Sequence, residues 1–157
     1  MTLPASVLAL VELSPIEDIA LAILREGLPE IPVYSLIPEN QPDVFILVRR
    51  AYGLGNWSAD SRFTDEARIH VQCYAVDPNG DQDAALLSEA VRVVLRNAWL
   101  NHVVVPGRGS IIEIKMTSEP ARRSDYVTAT GPVQYADLPT GKHRYETTYS
   151  VSIRKPR

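Results

Sequence analysis

This chain of 157 residues is poor in the residues that usually announce chemistry. It holds one cysteine, Cys73, so these residues cannot form an internal disulfide, and a small cross-linked secreted scaffold is excluded. It holds three histidines, His70, His102 and His143, and no cluster has zinc-ligand spacing. No run approaches the roughly 18 apolar residues of a membrane helix. Residues 1–13 are apolar, yet no basic segment precedes them and Glu12 interrupts them, which speaks against a signal peptide. A basic excess is missing too. The 16 Lys and Arg against 19 Asp and Glu leave a net charge of −3, and the pI is near 5.6. A dedicated nucleic-acid-binding domain is usually basic. The expected setting is a reducing cytosol, or a particle assembled there.

What is present is ordinary globular protein, 45% hydrophobic and 22% charged. The length suits one domain with a real core. Ser14-Pro15-Ile16-Glu17 has the form of a capping box, with proline at the first helical position. Ile16, Ile19, Ala20, Ile23 and Leu24 follow at helical spacing, and Gly27 is placed to end the helix in the left-handed region. The pattern predicts a helix over 15–26. Residues 5–13 form either an earlier helical turn or an extended arm.

Pro29, Pro32, Pro38 and Pro42 punctuate the next stretch, leaving 33–37 as a short edge strand. Residues 44–50 are apolar without alternation until Arg49-Arg50, the signature of a strand buried on both faces. A glycine-bearing polar loop, 51–64, follows. Residues 66–75 alternate: Ile69, Val71, Cys73 and Ala75 take the core face, and Arg68, His70, Gln72 and Tyr74 the other. Asp77-Pro78-Asn79-Gly80 is a turn. A helix spans 81–100, with Ser88, Glu89, Arg92 and Arg96 as its narrow polar side. Its apolar stripe is wider than one sheet contact requires, so it packs on both the sheet and the first helix or carries a subunit contact. Residues 110–118 are a strand with Ile112, Ile114 and Met116 in phase, and 119–142 a long loop or extended excursion. A last strand, 144–154, alternates Tyr145, Thr147, Tyr149, Val151 and Ile153 against polar residues. The expected fold is α+β: a mostly antiparallel sheet, with a mixed one also open, two main helices on one face, and long interaction loops.

Candidate chemistry is thin. Cys73 with His102 or His143 could be written as nucleophile and base, but Cys73 lies in phase with the core face. Gly53-Leu54-Gly55 follows a strand as a dinucleotide loop would, yet Ser58 stands where the third glycine belongs and no helix begins there. Asp81 and Asp83 suit a helix N-terminus, where negative charge meets the macrodipole. No catalytic residue, metal ligand or cofactor site is expected. The basic pairs Arg49-Arg50, Arg122-Arg123, Lys142-His143-Arg144 and Arg154-Lys155 read as charged rims at the ends of elements. Tyr52, Trp57 and Tyr126 stand beside them, and aromatics with arginine anchor protein interfaces. The candidate contact set is therefore Arg49, Arg50, Tyr52, Trp57, Arg122, Arg123, Tyr126 and Lys142.

Three stretches carry a resemblance. One is Asp43-Val44-Phe45-Ile46-Leu47-Val48-Arg49-Arg50 before a glycine-bearing loop. The second runs from Asp65-Glu66-Ala67-Arg68-Ile69-His70-Val71-Gln72-Cys73-Tyr74-Ala75 into Asp83-Ala84-Ala85-Leu86-Leu87 and Val91-Arg92-Val93-Val94-Leu95. The third is Gly131-Pro132 and then Arg144-Tyr145-Glu146-Thr147-Thr148-Tyr149-Ser150-Val151-Ser152-Ile153-Arg154. In pattern and order they resemble the tail terminators of long-tailed bacteriophages, from residue 44 onward. The resemblance implies an α+β subunit without enzymatic activity or cofactor, in a closed, hexameric ring. It implies a tail tube protein on one ring face, a head-completion or connector protein on the other, and DNA passing through the lumen without sequence-specific contacts. It places the chain in the virion, at the head–tail junction, assembled in the host bacterial cytoplasm. A cyclic ring needs two different, complementary patches per subunit, and loops 51–64 and 119–143 are the candidates. The competing readings are another head-to-tail connector or tail-completion protein, an oligomeric cytosolic ligand-binding domain with a dominant apolar pocket, and a small cytosolic enzyme, which needs convergent polar groups.

Overall fold

The computed structural model describes residues 3–11, 14–51, 64–122 and 141–154. In chain order it places α1 (Ala5–Leu8), α2 (Ile16–Gly27), β1 (Val33–Tyr34), β2 (Phe45–Arg50), β3 (Thr64–Val76), α3 (Gly80–Leu100), β4 (Val104–Val105), β5 (Gly109–Arg122) and β6 (Lys142–Arg154). The strands form one six-stranded sheet in the order β1-β2-β3-β6-β5-β4. Only β1 and β2 run parallel; the other described pairs are antiparallel. The fold is thus α+β with a mixed, mostly antiparallel sheet, as expected.

Both long helices cover the same face of that sheet. Ile16, Ile19, Ile23 and Leu24 of α2 and Leu87, Val91, Leu95 and Ala98 of α3 meet Ile46, Val48, Ile69, Val71, Cys73, Val151 and Ile153 in one buried cluster. Each such aliphatic side chain removed from water contributes about 1.5–3 kcal/mol, so this layer is where the fold's stability is concentrated. The broad apolar stripe of α3 serves the sheet and α2 together. Ser88 is buried with that stripe, against the expectation that it joins the polar side, because its hydroxyl donates to the Ala85 carbonyl at 2.7 Å.

Two expectations about α2 need correction. Pro15, not Ser14, is the N-cap residue, and no side chain caps this end. Gly27 does not take a left-handed conformation; Leu28 closes the helix, donating its N–H to Leu24 at 2.8 Å. Gly27 serves packing instead. A Cβ there would lie 2.5 Å from Val94 Cγ1 on α3, so the missing side chain sets how closely the helices approach. The short edge strand forms only at Val33–Tyr34, fastened to α2 by Arg25, whose Nε and Nη2 donate to the Val33 carbonyl at 3.2 and 2.7 Å.

The later strands are longer than expected. β5 runs on through Arg122 and β6 begins at Lys142, so 119–122 and 142–143 are strand, while 123–140 lie outside the described residues. The phase of β5 also differs. Ile111 faces Ile153 and Ile114 faces Val151, with a bulge between Ile111 and Glu113. One inserted residue moves all later side chains to the other face. Ile111 and Ile114 therefore both reach the core, while Met116, on the same face as Ile114 and opposite Tyr149, stands 42% exposed. Gly109, at φ 136°, begins the strand where a Cβ would lie 2.4 Å from the Arg154 carbonyl oxygen.

Candidate functional site

Paired residues of an antiparallel sheet share a face, so the register maps the face that carries no helix. One row is Phe45, Tyr74 and Arg144; the next is Leu47, Gln72, Glu146 and Ala121. Then come Arg49, His70, Thr148 and Ser118, followed by Arg68, Ser150 and Lys115, and by Glu66, Ser152 and Glu113. The face changes character along its length. At the β2 start, Phe45, Leu47 and Tyr74 form a second buried apolar cluster with Tyr34 packed against it. The Phe45 and Tyr74 rings are stacked, their centroids 4.5 Å apart, and Tyr34 meets Phe45 edge-on at 6.1 Å. This explains why β2 lacks alternation: it is buried on both faces, as read from the sequence.

A polar chain continues from that cluster. Tyr74 Oη donates to Gln72 Oε1 at 3.0 Å, and Gln72 Nε2 donates to Glu146 Oε2 at 2.6 Å. His70 Nδ1 lies 3.2 Å from Glu146 Oε1. Beyond it Ser150 Oγ donates to Glu66 Oε1 at 2.9 Å. These groups satisfy one another, which suits a fixed polar face better than a reacting centre. The far rows are exposed and carry Arg49, Arg68, Lys115 and Glu66.

The structure divides the expected contact residues. Arg49 and Arg50 close β2 at one end of the sheet, exposed and without an ion pair to a described residue. They line an open hollow of about 470 Å³ with Pro15, Glu17, Asp18, Ser35, Leu36 and Val48. Leu36 is 77% exposed there, an apolar neighbour that sequence reasoning passed over. Arg122 and Lys142 lie toward the other end. Arg122 aligns with Ile46 through Tyr145 and Cys73, so it stands ~13 Å along the strands from Arg50 at ~3.3 Å per residue. Arg122 is paired with Asp81 at the start of α3, which holds its guanidinium above the usual value, first through that hydrogen bond. Lys142 is bound to Gln41 and sits 5.9 Å from the Phe45 ring centroid. Both are used inside the subunit. Tyr52, Trp57, Arg123 and Tyr126 lie outside the described residues.

Cys73 is 1% exposed in the helix-side core, and burial pushes its thiol up to about 12, which makes it inert as a nucleophile. His143 Nε2 pairs with Asp77 Oδ1 at 2.9 Å and straps the turn before α3. Among the described residues no group of His, Cys, Asp or Glu could hold a metal ion, and no described helix is long and apolar enough to cross a membrane.

No family model matches the chain, and no characterised protein matches it by sequence. Two solved structures are similar over most of its length. One, from the virion of a native gene transfer agent particle, is 12% identical at a TM-score of 0.43 and covers 85% of each chain. The other is 9% identical at a TM-score of 0.43, covering 90% of this chain and 89% of that one. Likenesses at this level assign neither a fold nor a role.

Proposed function

We propose that this chain is a bacteriophage tail terminator, a non-enzymatic structural subunit of a hexameric ring. The ring caps the tail tube, joins it to the head connector, and lets DNA pass through its lumen. The observation that carries the reading is the order of elements. A helix, the paired strands β2 and β3, the long helix α3, and the paired strands β5 and β6 follow one another in the order on which the family resemblance rests. The distribution of side chains agrees. On the helix-free face Tyr74, Gln72, Glu146 and His70 are spent on one another and Ser150 on Glu66, while Arg49, Arg50 and Leu36 are left presented at one end. Arginine beside exposed leucine suits docking against protein better than catalysis.

The test is solution mass by light scattering, with negative-stain imaging of the same sample. The expected result is a closed ring, several times the 17.4 kDa monomer. A strict dimer at high concentration refutes the ring. If the free protein is monomeric, isolated tail tubes are added, and bare tube ends at saturating protein refute the terminator role.

A further inference from the structure

Residues 3–11, Leu-Pro-Ala-Ser-Val-Leu-Ala-Leu-Val, are an unusual segment for a water-exposed arm. They contain no charge, and all of them are exposed. The four-residue helix α1 buries nothing. Leu3, Val7, Leu8, Leu10 and Val11 are 60%, 41%, 54%, 79% and 56% exposed. Together they show on the order of a few hundred Å² of apolar surface, the scale at which an exposed patch marks an interaction site.

The described residues also form an apolar groove. It lies between α3 and β5, is lined by Leu95, Trp99, Ile114, Met116 and Tyr149, and is rimmed by Arg92 and Arg96. Its volume is about 140 Å³, close to the roughly 150 Å³ that accepts a benzene-sized apolar group. That is room for one leucine or valine side chain.

We propose that the arm of residues 3–11 docks in the α3–β5 groove of a second copy of the chain. Charge favours this occupant. Arg96 forms no ion pair with a described residue, the arm brings no cation toward it, and Glu12, next in the sequence, brings an acid. Area favours a copy over a lone partner. One arm falls short of the ~800 Å² per partner of a standard interface, so the contact gains strength where each subunit gives one arm and receives another. Arm and groove are different patches, which makes the contact heterologous and able to close a ring. The inference deepens the ring reading and rests on it for closure; the contact itself needs only two copies.

The test is disulfide trapping in the full-length chain. Val7→Cys and Met116→Cys are made separately, mixed at a concentration where light scattering shows self-association, and oxidised mildly; buried Cys73 is the silent background. The expected product is the mixed 7–116 disulfide, several-fold above either symmetric dimer. Adding Leu8→Asp and Leu10→Asp to the Val7→Cys chain abolishes it with no change in circular dichroism, since no residue of the arm is buried. A dominant 7–7 product means that arms pair with each other and overturns the proposal. So does an internal 7–116 disulfide in the monomeric double variant. Rings without the mixed product overturn the arm contact and leave the ring reading standing; a chain that never associates and never cross-links overturns the arm contact, and the ring reading is then decided by the tail-tube test.

Discussion

Replacing Gly27 with alanine tests whether the approach of α2 to α3 is set by a single missing methyl. The added Cβ would lie 2.5 Å from Val94 Cγ1 and 2.9 Å from Cγ2, where carbon atoms prefer about 3.5–4.0 Å. Val94 cannot swing aside cheaply, because a valine in a helix has one strongly preferred rotamer. The helices must part by about 1 Å, and overpacking of this kind costs roughly 1–3 kcal/mol. Against this stands the better helix propensity of alanine, up to about 1 kcal/mol and less at Gly27, the last residue of its helix. The net expectation is a loss of about 1–2 kcal/mol, or ~2–8 °C in Tm for a chain of this size. In a Val94→Ala background the overlap with both γ-carbons disappears, and Gly27→Ala becomes neutral or slightly stabilising. Urea melts of the four proteins close the double-mutant cycle, with an expected coupling of ~2 kcal/mol. Additive losses, or a Gly27→Ala variant more stable than the parent, would refute the reasoning.

Three further outcomes follow from the packing. Phe45→Ala removes a ring stacked on Tyr74 and buried at 1% exposure; thermal melts should show a loss of ~3–5 kcal/mol, and a loss below about 1 kcal/mol, a third of the smallest expected, would deny that the second cluster is packed. Cys73, with its thiol pushed up to about 12, should react with iodoacetamide at pH 8 only as fast as the chain unfolds; native labelling at the rate of a free thiol would place it outside the core. Arg49→Glu with Arg50→Glu should leave stability within about 0.5 kcal/mol, because neither arginine makes an ion pair with a described residue. The same pair should lower the assembled fraction in light scattering, and an unchanged mass would remove them from the contact surface.

Much of the fold was legible because periodicity survives without knowledge of the partners. The alternation of Ile69, Val71 and Cys73 located β3, and the helical stripe of Ile16, Ile19 and Ile23 located α2. What failed were features decided by a neighbour. The bulge at Ile112 belongs to the pairing of β5 with β6 and leaves no mark in a run of isoleucines. Gly27 has the same composition signal whether it ends a helix or admits Val94. At the candidate site, the exposure of Arg49 and Arg50 could be read from the break in an apolar run. The use of Arg122 by Asp81 could not, because 40 intervening positions separate partners that only the sheet brings together. For residues 5–13 the sequence left a helical turn or an extended arm open, and α1 is the turn; that it buries nothing became visible only once the core was seen to close without it.

The outer edge of the sheet bears on how copies of this chain meet one another. Among the described residues, β4 covers β5 only at Gly109 and Ser110, so most of a 14-residue strand runs along the border. Such a border invites strand-to-strand stacking into fibres. Here three irregularities kink it, Pro120 withholds a backbone donor, and Lys115 sets a charge on it. A strand so interrupted is a poor template for backbone zippering. Copies of this chain are thereby steered toward recognition by side chains, whose geometry can stop at a finite number, and away from the open-ended growth that a straight edge would permit.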